Sequence, residues 1–203
     1  MAWVWHYTPE FGFARAEIDY LACEPMTGAD ALSETPLGAN LPRPIFRARA
    51  KLARFLKYHC PPIGEHPVVD RAWQEIILRF VPAGRVQFFP VRLIAKDGEN
   101  DDYSWVIPFD RVRCIDVKRS KITAKVEKPD ITLIFRADEY VHKGGCLGNG
   151  HLARDEQQPS HMVLSDRLRD ALAATGESSM FYQPEDVPTL FGRNSVVPAW
   201  RTR

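Results

Sequence analysis

Five short apolar stretches with brief connections lie between residues 86 and 135, and they constrain the fold more than any other feature of this sequence. They occupy residues 86–95, 103–109, 112–117, 122–126 and 131–135. Because a parallel return between two strands needs a crossover of about a dozen residues or more, connections this short favour antiparallel pairing. The alternation slips at Pro90, which cannot donate to a strand ladder. The sequence therefore predicts an antiparallel meander with a bulge or an edge position at Pro90.

Apolar residues at helical spacing predict three helices around this sheet. The first covers residues 45–59, with an apolar face of Ile45, Ala48, Leu52, Phe55 and Leu56 and a basic face of Arg47, Lys51 and Arg54. The second begins near Pro67 and carries an apolar stripe of Val69, Trp73, Ile76, Ile77 and Phe80. The third begins after Ser165, a favoured N-cap residue, and ends at Gly176. We therefore expect an α+β fold, in which an antiparallel meander sheet is flanked by a few helices.

The length of the chain allows one sizeable core. At 203 residues with 45% apolar content, the chain can bury about 70% of its unfolded surface. We divide it into an amino-terminal extension, residues 1–62, and an α+β unit, residues 63–203, which together form one compact body. The residues predicted to form the core are Trp73, Ile77, Phe88, Trp105 and Phe135. The tail after residue 184 is expected to be extended and packed through Leu190, Phe191 and Trp200.

Charge and cysteine usage exclude several classes of protein. The 27 basic and 26 acidic residues give a formal net charge of +1, which argues against binding nucleic acid mainly through phosphates. The four cysteines, Cys23, Cys60, Cys114 and Cys146, form no CxxC pair, and we interpret them as reduced thiols. No apolar run reaches the roughly 18 residues of a membrane span, and the first residues lack a signal-peptide pattern. We therefore expect a soluble, cytoplasmic protein.

The glycine-rich segment 138–161 gathers the residues that could support metal chemistry. They are His142, Cys146, His151, Asp155 and His161. Imidazole, thiolate and carboxylate groups are ligands that zinc accepts, but their spacing here matches no familiar zinc module. We therefore expect a polar loop with no metal and no cofactor, and we keep a metal-dependent hydrolase that uses this segment as an alternative. A second alternative is a nucleic-acid-binding module that uses the basic face of the predicted 45–59 helix, although that face has no aromatic side chain to stack on a base.

The densest negative cluster of the sequence lies in the connection between the first two apolar stretches. Its members are Asp97, Glu99, Asp101 and Asp102. The Asp97–Gly98 step suits a tight reversal, so the cluster is expected at the tip of a hairpin. It lacks the ligand register of a calcium loop. A solvated turn is the simplest interpretation, and if the tip has a function, its charge suits a basic protein partner.

Several motifs, taken in order, resemble one bacterial protein family. They are HPVVDRAWQEIILRF, VQFFPVRL, DDYSWVIPFDRVRCIDVKRSKI, the IFR at residues 134–136, and SDRLRDALAATGESSMFYQPED. Together they span residues 65–186, and their order and spacing are similar to those of immunity protein family eleven of bacterial polymorphic-toxin systems, also catalogued as a domain of unknown function. The first third of the chain carries none of these motifs.

This resemblance implies a small protein that is encoded beside a toxin and protects the producing cell by binding that toxin. No catalytic residues are assigned in such a family, so the resemblance carries none over to this chain. The expected function is therefore stoichiometric inhibition of a cognate toxin from a neighbouring gene, without catalysis and without a cofactor. The expected contact residues are Asp97, Glu99, Asp101 and Asp102.

Overall fold

The computed structural model describes residues 2–5, 17–18, 32–61, 63, 66–178 and 180–190, with the backbone alone for residues 17–18 and 188–190. Within these ranges the chain forms strands and two α-helices. The strands are β1 Ala2–Trp5, β2 Glu17–Ile18, β3 Ile45–Arg47, β4 Val68–Val69, β5 Val86–Pro90, β6 Arg92–Ala95, β7 Gly98–Asn100, β8 Ser104–Pro108, β9 Arg111–Val112, β10 Lys121–Glu127, β11 Thr132–Glu139, β12 Leu152–Asp155, β13 Met162–Ser165 and β14 Phe181–Tyr182. The helices are α1 Arg71–Leu78 and α2 Asp166–Ala173. The predicted α+β class is confirmed.

The strands form several sheets, so the predicted single meander is wrong. In the described part of the chain the orders are β14-β1-β13-β12-β9, β2-β3-β6-β7, β4-β8-β5 and the pair β10-β11. Two pairs, β3 with β6 and β9 with β12, are parallel. Each of these pairs joins strands that are far apart in sequence, so the chain has ample length for the crossover that a parallel pair needs.

The sequence predicts a bulge or an edge position at Pro90, and the chain changes sheets just after this residue. Strand β5 ends at Pro90 and pairs with β8, whereas β6 begins at Arg92 and pairs with β3 and β7. Between them, the Val91 amide donates to the Tyr103 carbonyl at 3.0 Å. The ladder with β8 therefore continues past Pro90, and the partner strands change at Arg92, so that the stretch 86–95 becomes two strands of different sheets. In the described part of the chain β5 is an edge strand of its sheet, a position that tolerates a proline without an amide hydrogen.

The helix predicted at residues 45–59 is wrong. Residues 45–47 form β3 instead, and a short 3-10 helix covers Leu52–Arg54. The Arg92 amide donates to the Pro44 carbonyl and the Ala48 amide to the Ile94 carbonyl, so the ladder with β6 extends beyond the strand. Phe46 is fully buried, with its ring centroid 5.9 Å from that of Trp105. Long-range pairing and burial of Phe46 therefore override the local helical pattern.

The other two helices form, and their caps explain where they begin. In α1 the carboxylate of Asp70 accepts the Trp73 amide at 3.0 Å, and the helix starts later than predicted because Val68 and Val69 pair with β8. In α2 the hydroxyl of Ser165 accepts the Leu168 amide, as expected of an N-cap. Gly176 follows that helix with a φ of 97°, a conformation that glycine adopts at little cost.

Part of the predicted core is confirmed. Trp73, Ile77 and Trp105 are at most 1% exposed. Phe88 and Phe135 are only half-buried, and their neighbours Phe89 and Ile134 are buried instead. Because side chains alternate across a strand, an error of one residue in phase exchanges the buried and the exposed face.

The amino-terminal third takes part in the sheets of the rest of the chain. Strand β1 pairs with β13 and β14, and β3 pairs with β6. The rings of Trp5, Trp73 and Phe181 lie within 6 Å of one another by centroid. The division at residue 62 stays a prediction, and the packing predicted for Leu190, Phe191 and Trp200 lies outside the described side chains.

The Tyr103 hydroxyl connects the start of β8, in the sheet β4-β8-β5, to residues 55–58. This contact predicts that the stability of the protein depends on pH. The hydroxyl oxygen lies 3.2 Å from the Phe55 carbonyl and 3.1 Å from the Tyr58 carbonyl, so its one hydrogen is shared between them. Burial raises the pKa of this hydroxyl, with smaller contributions from Asp70 and Glu177. The folded pKa lies above the unfolded value, so the stabilisation is complete below about pH 10 and is lost as the pH rises further. We expect Tyr103→Phe to cost about 1–2 kcal/mol at neutral pH.

Urea unfolding of wild type and Tyr103→Phe across the alkaline range measures this effect. The difference in unfolding free energy between the two proteins should shrink above about pH 10, where the unfolded tyrosine ionises. A difference that stays constant up to the most alkaline pH at which both fold would show that the hydroxyl contributes no linked stabilisation.

Candidate functional site

The predicted acidic residues lie on one exposed hairpin. Strands β6 and β7 are joined by the two-residue turn Lys96–Asp97, and the segment continues through residue 102 to β8. All four carboxylates are exposed. The hairpin pairs β6 with β7, whereas the stretch 103–109 pairs with β5, so the tip is shorter than the sequence predicts.

Two of the four carboxylates have close partners on the chain itself. Asp97 accepts the Leu52 amide at 2.7 Å. Asp101 accepts two hydrogen bonds from Arg92, at 3.0 and 3.2 Å, and lies 3.7 Å from Arg43. The hydrogen bond from Arg92 to Asp101 raises the pKa of that exposed guanidinium. Asp97 and Asp101 therefore help to hold the hairpin in place.

The other two carboxylates have weaker internal partners. Glu99 lies 3.9 Å from Arg92, at the limit of an ion pair, and its side chain is 58% exposed. Asp102 accepts from the neutral side-chain amide of Asn100 at 2.9 Å. The Asp102 amide in turn donates to the Asn100 side-chain oxygen, which fixes the local turn. Much of the outward negative field of the hairpin therefore comes from Glu99 and Asp102.

A shallow groove of about 570 Å³ adjoins this hairpin. Its lining residues are Leu56, Asp70, Arg71, Ala72, Gln74, Asn100, Asp102, Tyr103 and Ser104. Leu56 is 51% exposed, so an apolar side chain lines the same groove as the carboxylate of Asp102. An apolar patch rimmed by polar groups is typical of protein contact surfaces. The sequence did not reveal this groove because its walls come from three separate segments.

The segment 138–161 brings together only two of its five candidate ligands, His142 and Cys146, which lie close to Cys114. Strand β11 extends to Glu139 and β12 begins at Leu152, so the segment is less irregular than predicted. The His151 ring lies 2.7 Å from the Ser165 hydroxyl, and the His161 ring packs edge-on against Tyr140. His151, Asp155 and His161 lie outside that group, so the five-ligand cluster on which the hydrolase alternative rests does not form within the part of the chain that the structure describes.

Asp155, a candidate metal ligand in the sequence, holds the backbone of neighbouring segments instead. Its carboxylate is fully buried and accepts the amides of Cys114 at 2.9 Å, Gln157 at 2.7 Å and Gln158 at 3.2 Å. Burial raises the pKa of this carboxyl group, and the backbone hydrogen bonds oppose that effect. The neighbouring Arg154 is 1% exposed and donates to the Pro159 carbonyl, and burial lowers its pKa to about 9. These buried polar groups shape the segment that follows β12.

Cys114 and Cys146 form a disulfide, so their assignment as reduced thiols is wrong. They are 32 residues apart, with a Cα–Cα distance of 5.0 Å. Cys60 is buried and is not part of this disulfide, and Cys23 lies outside the described ranges. Nothing in the local sequence predicts the pairing, because it depends on a contact between the segment after β9 and the segment after β11.

The basic residues of segment 45–59 do not form the face that the nucleic-acid alternative requires. Arg47 ends a strand, whereas Lys51 precedes the 3-10 helix and Arg54 ends it. The nearly neutral net charge of the whole chain agrees with the absence of a basic helix face in this described segment.

Comparison with known proteins assigns the chain to a protein family. A sequence profile of immunity proteins matches residues 47–186, about two-thirds of the chain. The match ends where the resemblance predicted and begins earlier, at the last residue of β3, so it includes the 3-10 turn Leu52–Arg54. The chain belongs to this family, the immunity protein family Imm11. None of the curated proteins matches the chain. Among the helices in the described ranges, none is long and apolar enough to cross a bilayer.

Proposed function

We propose that this protein binds a cognate bacterial toxin stoichiometrically and neutralises it in the cytoplasm of the producing cell. The observation that carries the proposal is the match of residues 47–186 to an immunity protein family, which implies a toxin partner in general terms. The toxin is the product of a neighbouring gene, and inhibition requires neither catalysis nor a cofactor. Binding energy alone then sets the strength of protection.

The surface proposed to contact the toxin combines the acidic hairpin with the adjoining groove. Asp97, Glu99, Asp101 and Asp102 supply negative charge, and Leu56 supplies an apolar contact beside it. Charges at the rim of an interface mainly accelerate association and reject wrong partners, whereas a side chain buried at the centre mainly slows dissociation. The arrangement fits a basic surface on the toxin with one protruding side chain that enters the groove.

Association kinetics with the toxin encoded next to this gene test both the function and the surface. The test variant carries four substitutions: Asp97→Asn, Glu99→Gln, Asp101→Asn and Asp102→Asn. We expect the association rate to fall by about 3- to 10-fold at low ionic strength, with a smaller change in the dissociation rate. The salt dependence of association should also become weaker.

Two controls make the result specific to this surface. A Glu99→Gln/Asp102→Asn variant removes the outward charges and keeps the contacts of Asp97 and Asp101, so it should account for most of the change. A Glu127→Gln/Asp170→Asn variant removes two other carboxylates, 68% and 63% exposed, and should leave the rates unchanged. Equal rates for all variants would reject this surface, whereas a wild-type protein that forms no complex would reject the proposed function itself.

A further inference from the structure

Three side chains that can bind a metal converge where two segments run side by side. The Asp116 amide donates to the Val141 carbonyl at 2.7 Å, and the Lys143 amide donates to the Cys114 carbonyl at 2.7 Å. Between these bonds, Ile115 and His142 form an isolated antiparallel bridge. This pairing places Cys114 beside His142 although the two residues lie in different segments of the chain.

A turn that contains two glycines brings the chain back to Cys114. Gly145 and Gly148 have φ values of 69° and 55°, which a residue with a side chain adopts only with strain. The tight turn that they form carries Cys146 back to Cys114. One ligand atom from each of Cys114, His142 and Cys146 lies within 4.8 Å of the other two. The sequence could not predict this group because Cys114 lies 32 residues before Cys146.

The chemistry of this group suits zinc. Two thiolates and one imidazole are a ligand set that zinc prefers, with zinc–sulfur bonds of about 2.3 Å and zinc–nitrogen bonds of about 2.0–2.1 Å. In a tetrahedral site such bonds place the ligand atoms about 3.5–3.8 Å apart, so the two sulfurs, which are bonded to each other in the disulfide, must separate after reduction. Both ring nitrogens of His142 are buried, and within the described chain this ring meets the backbone of Ala2, which can engage one nitrogen and leave the other for a metal. An imidazole in this state has a nitrogen lone pair to offer a metal.

We propose that Cys114, His142 and Cys146 form a thiol-dependent zinc site, in which zinc replaces the disulfide when the protein is reduced. A dithiol reductant transfers two electrons and two protons to the protein disulfide. The reductant is oxidised to a disulfide, and Cys114 and Cys146 become thiols. Zinc then binds both sulfurs and a His142 nitrogen, and the two thiol protons are released. The fourth position is left to water or to a group of a partner.

The two states exclude each other because both use the same two sulfurs. In either state, the segment after β9 stays attached to the segment after β11. The disulfide makes this link in an oxidising compartment, and zinc makes it in a reducing one, where disulfides rarely persist. The proposal does not depend on the toxin-binding function, and its test needs no toxin.

Cobalt binding to the full chain tests the site. The protein is reduced with a phosphine, desalted without oxygen and titrated with Co²⁺ alone. We expect one equivalent to produce a sulfur-to-cobalt charge-transfer band in the near ultraviolet and the intense visible bands of tetrahedral Co²⁺. Excess Zn²⁺ should abolish both sets of bands. Reduced protein that gives no such bands would overturn the proposal and leave a disulfide that is structural only.

Variants and the oxidised protein identify the ligands. Cys146→Ser and His142→Ala should each weaken cobalt binding at least about tenfold, within the range measured when other metal sites lose a supporting group. Cys60→Ala should bind cobalt as wild type does, because Cys60 is not a member of this group. Oxidised wild-type protein, which has no mutation and keeps its fold, should show the bands only after reduction. Full binding by His142→Ala, or loss of binding in Cys60→Ala, would overturn the assignment.

Discussion

Replacement of Trp105 by alanine is expected to lower the free energy of unfolding by about 3–5 kcal/mol. Trp105 lies in β8, the central strand of its sheet, opposite Val68 of β4 and Phe89 of β5. It is 1% exposed, and its ring packs edge-on against Phe46. Truncation therefore removes contacts to three strands and leaves a cavity that the surrounding strands cannot fill without breaking their hydrogen bonds.

Urea unfolding of wild type and variants measures this cost. Trp105→Phe keeps an aromatic ring in the same place and should lose clearly less stability than Trp105→Ala. Leu78→Ala provides the matched control, because Leu78 is 45% exposed on α1, and it should change stability by no more than about 0.5 kcal/mol. If Trp105→Ala unfolds at the same urea concentration as wild type, the sheet β4-β8-β5 is wrongly assigned.

Replacement of Asp155 by alanine is expected to cost about 3–4 kcal/mol. The side chain accepts three backbone amides, and their donors would remain buried without an acceptor. An unsatisfied buried donor costs about 1–3 kcal/mol, and partial relaxation keeps the total below the sum. One of these amides belongs to Cys114, so the same substitution also loosens the segment that contains the disulfide.

The matched control is Asp155→Asn, which keeps the shape and one acceptor oxygen. It should retain the acceptor for Gln157 and Gln158 or for Cys114, and should lose about half as much stability as Asp155→Ala. Hydrogen exchange at the amides of these residues gives a local measurement. Exchange rates that are equal in wild type and Asp155→Ala would contradict the proposed hydrogen bonds.

The features that the sequence predicted are those set by neighbouring residues. The caps at Ser165 and Gly176 define α2 because each acts within one turn of the helix. The hairpin of β10 and β11 is likewise confirmed, because its two strands follow each other with a short connection. The edge position of the strand that contains Pro90 agrees with the missing amide hydrogen of that one residue.

The features that the sequence did not predict depend on contacts between distant segments. Residues 45–59 have a helical apolar pattern, but β6 offers a strand edge that satisfies the backbone of β3 and buries Phe46. The disulfide, and the group of Cys114, His142 and Cys146, both depend on the pairing of Ile115 with His142. The groove beside the acidic hairpin is assembled from residues of three segments. No local pattern encodes any of these.

The sequence identifies the four carboxylates of the candidate contact surface, but only their hydrogen bonds show which of them are held by the chain itself. The sequence marked Asp97, Glu99, Asp101 and Asp102 as a cluster of like charge. The structure divides them into two that hold the hairpin and two that face outward with weaker partners. Their contact with the toxin stays a proposal, and the division states which carboxylates should matter most.

The most direct test of the proposed immunity function is titration of the toxin's activity with purified protein. The toxin encoded next to this gene is held at a fixed concentration far above the dissociation constant, and residual toxic activity is measured as this protein is added. Stoichiometric inhibition predicts a linear fall that ends at a fixed molar ratio, the same at every toxin concentration, with a complex of that composition recovered by size exclusion. Toxic activity that stays unchanged in excess protein, or that is removed by catalytic amounts of it, would contradict the account.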